Sequence, residues 1–256
     1  MGKRSFLILL LCVAAAGAQG RRLIDLTYAF SSDTICWPNA DGFQLRKDAD
    51  GITEKGYYYG ANSYAAGEHG GTHFDAPLHF AKGMPAVDQI PLERLWAPAV
   101  VVDVQESAAK DRDYLVKDTD LQKWEEQNGG IPAGSILLIR TGWGKYYPKR
   151  AQYLGTDRRG EQAVSELHFP GVSPAAAEWI VKNRRISVLG IDTASIDRGQ
   201  SQLFEVHQIL FKAGLCALEN VANMDKLPAK GFEVIALPMK IQGGTGAPVR
   251  IVALLR

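Results

Sequence analysis

Cysteine is scarce in this chain: 256 residues contain three. Cys12 sits in an N-terminal apolar run that reads as removable, which leaves Cys36 and Cys216, far apart in sequence. A disulfide framework is therefore excluded as the source of stability, and the two thiols are read as either free or bridged to each other. Charge of one sign is also missing. Once the first 20 residues are set aside, 27 basic side chains face 28 acidic ones. Without a basic cluster, nucleic acid and anionic membrane are excluded as main partners. No Asn-x-Ser/Thr sequon is present, so nothing requires N-glycosylation. No apolar run reaches the roughly 20 residues that span a bilayer. Internal repeats, charge blocks and low-complexity linkers are absent too, so residues 21–256 read as one domain.

The N-terminus has its own logic. Lys3 and Arg4 precede the apolar run from Phe6 to Ala16, and Ala16-Gly17-Ala18 offers small residues for cleavage. This layout predicts a signal peptide over residues 1–20, entry into the secretory pathway and secretion, with no membrane attachment after cleavage. The C-terminus carries no lumenal retention signal.

Strand-like runs recur at Leu23–Thr27, Val100–Val104, Ile136–Arg140, Ile186–Ile191, Phe232–Ile241 and Val249–Leu254. Several are Val/Ile-rich and apolar on both faces, as strands buried inside a layered fold are. Ser173 and Pro174 read as N-cap and first residue of a helix running to Asn183. A second helix is expected from Ser201 to Lys212, ending near Gly214, with Leu203, His207 and Leu210 on one face. Asp120 to Gln127 forms a third. The mixture predicts a single α/β domain, layered β/β/α (swivelling-type), with mixed sheets.

Residues 67–80 concentrate the chemistry. Three of the five histidines, His69, His73 and His79, fall there together with Asp75. Imidazole and carboxylate are donors that zinc and manganese favour. The segment makes a poor helix, because Gly70, Gly71 and Thr72 disfavour one. On a strand His73 and Asp75 share a face, two rises of about 3.3 Å apart. His69 reaches the same ion only if the chain bends at Gly70-Gly71, which paired glycines permit. Gly71 would also leave room for the ion. Pro77 then ends the strand and turns His79 back toward the site. The glycine-rich stretch Gln242–Gly246 lacks the lysine and helix of a phosphate loop and reads as a turn between strands.

The window from His69 to Phe80 resembles the His-x-Gly-Thr-His-x-Asp-x-Pro-x-His-Phe signature of the metal-dependent cyclase family, which includes bacterial-type kynurenine formamidases and isatin hydrolases. Arg140–Trp143, Phe169–Ser173, Gly190–Asp197 and Gly244–Arg250 are similar to further family blocks, in family order. The likeness implies that His207 and Glu219, twelve residues apart, complete a second metal position. Read alone, His207 is a core histidine on an apolar helix face, while Glu219 is a buried acid in need of a partner. Trp37 resembles an aromatic position that covers the substrate, and His168 matches no family site.

Together these features predict a metal-dependent amide hydrolase. One or two zinc or manganese ions would be held by His69, His73 and Asp75, with Asp75 bridging to His207 and Glu219. Such an ion acidifies water near neutral pH. His79, outside the coordination shell, would carry protons. The resemblance implies arylformamidase activity on N-formylkynurenine, giving kynurenine and formate, and a homodimer. The alternatives are an isatin hydrolase-like cyclic amidase and a secreted metal-binding protein without turnover. A proton carrier beside the metal speaks against the last.

Overall fold

The computed structural model describes residues 22–255. The expected signal segment, Cys12 included, lies outside the described residues. The strands are β1 (Arg22–Asp25), β2 (Gln44–Ile52), β3 (Tyr58–Ala65), β4 (His73–Asp75), β5 (Trp96–Asp103) and β6 (Leu115–Val116), followed by β7 (Ile136–Arg140), β8 (Gly171–Val172), β9 (Val188–Ile191), β10 (Cys216–Glu219), β11 (Phe232–Pro238) and β12 (Gly246–Leu255). The helices are α1 (Leu92–Leu95), α2 (Gln105–Lys110), α3 (Asp118–Asn128), α4 (Arg150–Leu154), α5 (Pro174–Asn183) and α6 (Glu205–Lys212). No described helix is long and apolar enough to cross a membrane.

Eight strands form one mixed sheet in the order β1-β12-β11-β5-β7-β9-β10-β4, and β4 pairs with β12 as well, so the sheet closes on itself. The run β5-β7-β9-β10 is parallel. Its strands are apolar on both faces because they separate two cores. Ala99, Val101, Ile136 and Leu138 point into the barrel with Phe74 and Ile251. Their neighbours Val100, Val102, Leu137 and Ile139 point outward, where Leu121 of α3, Ile180 of α5 and Leu210 of α6 cover them. Two sheet layers and a helical layer thus give the β/β/α arrangement that the sequence predicts.

Helix α5 starts where Ser173 accepts a hydrogen bond from the Ala176 amide, with Pro174 in its first turn. Helix α6 departs from expectation by starting at Glu205 rather than Ser201. Phe204 sits in the left-handed region at φ 50°, and the Asp197 carboxylate accepts from the Val206 and His207 amides, so the helix is capped there. Leu203 consequently lies outside the helix and is exposed. Strand β11 ends at Pro238, short of the expected Ile241.

Strand β4 lies where the sequence places the ligand strand ending before Pro77, whereas β2, β3, β6, β8 and β10 escape sequence reading. Of these, β2 and β3 form a hairpin exposed on both faces, which has no apolar alternation to betray it. The others are only two to four residues long.

Candidate metal centre

Strand β4 lies between β10 and β12 and sets the geometry. His73 faces Glu219 across the β10 ladder, and Asp75 faces Gly246 across the β12 ladder. The intervening Phe74 points into the barrel core, so His73 and Asp75 emerge on the other face, beside Glu219, at the carboxyl end of the parallel run. Ligands of open α/β sheets bind at such ends. Immediately upstream the chain does bend. Gly71 has φ +60°, and its amide donates to the Ile35 carbonyl. The space beside Gly71 does not hold room for an ion, contrary to expectation: a Cβ there would meet Thr34 and Phe30 at 2.9 and 3.0 Å. Glycine is required for packing, and the ligands face elsewhere. Gly246 serves the site in a different way, since a Cβ on it would lie 2.5 Å from the His69 ring.

The neighbours of each imidazole fix where its ring proton sits. The Thr245 hydroxyl donates to Glu68 Oε2 at 2.6 Å and so can only accept from His69 Nε2, 2.8 Å away. In the neutral ring His69 Nδ1 then turns a lone pair toward Asp75 Oδ1 at 2.7 Å. His73 Nδ1 donates to the Gly71 carbonyl at 2.9 Å. Its Nε2 lone pair lies 3.2 Å from Asp75 Oδ1 and 3.4 Å from Glu219 Oε2. His207 Nδ1 donates to Asp197 Oδ2 at 2.6 Å, which leaves Nε2 at 3.3 Å from Glu219 Oε1 and 3.6 Å from Asp75 Oδ2.

With the three rings neutral, their lone pairs converge on two carboxylates, with acceptors facing acceptors. Such a cluster holds together only around positive charge. His73 Nε2 and Asp75 Oδ2 are buried without a hydrogen-bond partner, as ligand atoms would be in the absence of their ion. The donors of His73, Asp75 and Glu219 lie within 4.8 Å of one another, as do those of His69, Asp75 and His79. An imidazole–carboxylate set of this size suits zinc or manganese. The electrostatics agree. Burial opposes charge on His73 and His207, but the carboxylates of Asp75 and Glu219, with Asp197 behind His207, hold both imidazoles well above their ordinary range. Burial likewise opposes the Asp75 carboxylate, and the histidines around it outweigh that and hold it well below its usual value. A divalent cation meets the demand that protons otherwise meet.

All of the expected site residues come together, though in a different grouping. His73 sits with Glu219, and His79 sits with His69, the two rings stacking at 3.7 Å. The turn Pro77–His79 carries His79 back as the proline predicts. Burial pushes the His79 imidazole down to about 4. In front of the cluster opens a cavity of about 310 Å³, walled by Ile35, Trp37, Phe80 and Phe204 and floored by His69 and His79. Trp37 packs edge-on to Phe169 and tilted against Phe204. His168 is apart from the site and bonds Asp113. Cys36 and Cys216 are free thiols.

Sequence reading misses the residues that orient the ligands. Asp197 closes the block Gly190–Asp197 and was legible only as a motif end. Glu68 adjoins His69, but nothing marks it as the partner of Thr245. Thr245 itself lies in the stretch that reads as a plain turn.

The fold and the cluster define an α/β protein with an imidazole–carboxylate cluster that could hold a metal ion, at the end of a closed mixed sheet. A family model described as putative cyclase matches residues 24–198. The chain is 36% identical over 208 residues to the isatin hydrolase of Roseibium aggregatum, covering 78% of this chain and 76% of that protein. It is 30% identical over 234 residues to the kynurenine formamidase of Salinibacter ruber, covering 90% and 96%. Its fold superposes on the structure of isatin hydrolase A from Labrenzia aggregata bound to benzyl benzoate with a TM-score of 0.83, at 33% identity and covering 92% and 94%. This chain belongs to the cyclase family.

Proposed function

We propose that the protein is a metal-dependent hydrolase of aryl amides that opens a cyclic amide of the isatin kind in preference to cleaving N-formylkynurenine. The observation that carries the hydrolase reading is the set of mutually facing acceptors on His69, His73, Asp75, His207 and Glu219, set at the floor of an aromatic-walled cavity. These five residues would hold the metal. When bound, a divalent ion in such a cluster acidifies water and polarises a carbonyl.

The chain's own residues supply the rest. His79 is pushed down to about 4, so its ring is neutral at neutral pH and accepts the proton that the attacking water gives up. It then returns that proton to the aryl nitrogen as the C–N bond breaks, since an anilide anion is a poor leaving group. Water adds to the carbonyl carbon, and ring opening gives one molecule that carries a free aryl amine and a carboxyl group, whose remaining proton is lost to solvent. Trp37, Phe80 and Phe204 offer faces and edges on which a flat ring stacks.

The sequence alone ranks N-formylkynurenine first. The higher identity to an isatin hydrolase, 36% against 30%, and the flat aromatic walls reverse that order. The formamide remains the second reading because the formamidase likeness spans 90% of the chain. A fixed nucleophile cannot serve a planar ring amide and a flexible formamide equally well, since misplacement by about 1 Å costs on the order of 10²-fold. Metal-loaded protein should therefore show the larger kcat/KM on isatin, and efficient cleavage of N-formylkynurenine with isatin left intact would reverse the assignment. Turnover of neither by metal-loaded protein would favour a binding role. Export removes residues 1–20 on this reading, and Met1 at the N-terminus of protein recovered from the medium would contradict it.

A further inference from the structure

Behind His73 stands a residue that the chemistry above does not use. Asn220 follows Glu219 directly, is almost fully buried, and has φ 53°, in the left-handed region. Its Nδ2 donates to the Gly71 carbonyl at 2.7 Å, the same carbonyl that receives the His73 Nδ1 proton at 2.9 Å. Both lone pairs of that oxygen are therefore occupied, one by the ligand and one by Asn220. On its other side Oδ1 lies 2.9 Å from the hydroxyl of Tyr153, a fully buried side chain whose single hydrogen it shares with the Asp192 carbonyl, also at 2.9 Å. Only this orientation of the amide gives the Gly71 carbonyl its second donor, because the reverse one would set two acceptors together.

We infer that Asn220 is a positioning residue for the metal centre, acting through the Gly71 carbonyl on His73; the inference rests on the metal-centre reading. The physical need is local. Gly71 has no side chain to restrain its peptide, and the ligand strand begins only two residues later. A peptide free to rotate would release the Nδ1 proton and let the ring swing, so that Nε2 no longer faced Asp75 and Glu219. Asn220 pins that peptide from the strand that also supplies Glu219, and so ties the two ligands to one frame. The left-handed backbone alone would explain an asparagine here, and that explanation makes a different prediction. Glycine keeps the backbone and removes the amide.

The test is a competition titration of metal-free protein with Zn²⁺ alone, with the melting temperature of the metal-free state followed in parallel. Loss of an outer partner of a ligating histidine typically costs about 10–100-fold in metal affinity. Asn220→Gly should weaken Zn²⁺ binding by that factor and change the absorption of the Co²⁺-loaded protein, while the metal-free melting temperature stays near that of the parent. Zn²⁺ affinity within about twofold of the parent would reduce Asn220 to a backbone role. If Asn220→Gly does not fold, Tyr153→Phe, which removes the hydroxyl that holds Oδ1 and loosens the amide, should weaken Zn²⁺ binding in the same direction, and unchanged affinity there would equally overturn the inference. A parent protein that binds no Zn²⁺ would instead sink the metal-centre reading itself.

Discussion

The two halves of the candidate metal centre are built by opposite means. One half is a continuous segment in which a glycine bend, a three-residue strand and a short turn deliver His69, His73, Asp75 and His79. The other half joins the first turn of α6 to the end of β10 and brings in His207 and Glu219 from separate elements. The backing differs as well. The continuous half relies on a threonine hydroxyl and a backbone carbonyl, whereas His207 leans on the Asp197 carboxylate, which also caps its helix. Exposure divides along another line: the His69 side chain is 26% exposed, against 2% for His73 and 4% for His207. On the proposed metal reading, the buried His73, His207 and Glu219 would anchor the ion, while the more exposed His69 would hold it from the open side of the cavity.

Breaking the joint between the halves should have the largest effect. Asp75 touches both, so Asp75→Asn should leave the purified protein without retained metal and without turnover, as metal analysis and an amide-hydrolysis assay would show. Retained metal would mean that the halves bind independently. His79→Ala sharpens the division within the continuous half. It should keep its metal and lose turnover by about 10²–10⁴-fold, whereas an emptied site in a folded protein would make His79 a ligand. Asp197→Asn probes the distal half, and metal affinity should fall by about 10–100-fold with the ligands intact. The smallest effect belongs to the cavity wall. Trp37→Ala should raise KM for an aromatic amide by the roughly 0.5–1.5 kcal/mol of an aromatic pair, with kcat little changed.

The same contrast explains what could be read from the sequence. Contact between His69, His73 and Asp75 follows from local spacing, because alternation on a strand and a glycine bend are short-range rules. The central strands were legible through their two-faced apolar runs, and α5 through Ser173-Pro174. His207 and Glu219 meet only once α6 has packed and β10 has paired, and no local rule reports that. Family likeness supplied them instead. The backing residues were invisible for a further reason: Thr245 acts across 176 positions from His69, in a stretch whose composition says only that the chain turns. The projecting β2–β3 hairpin was missed because none of its positions alternates between core and solvent.

The central claim is that facing acceptors on five side chains make a divalent-cation site. Equilibrium dialysis of metal-free protein against Zn²⁺ and against Mn²⁺, followed by metal analysis, tests it without reference to substrate. The parent should retain at least one ion per chain and Asp75→Asn none. Folded parent protein that emerges from dialysis with no bound ion of either kind would contradict it.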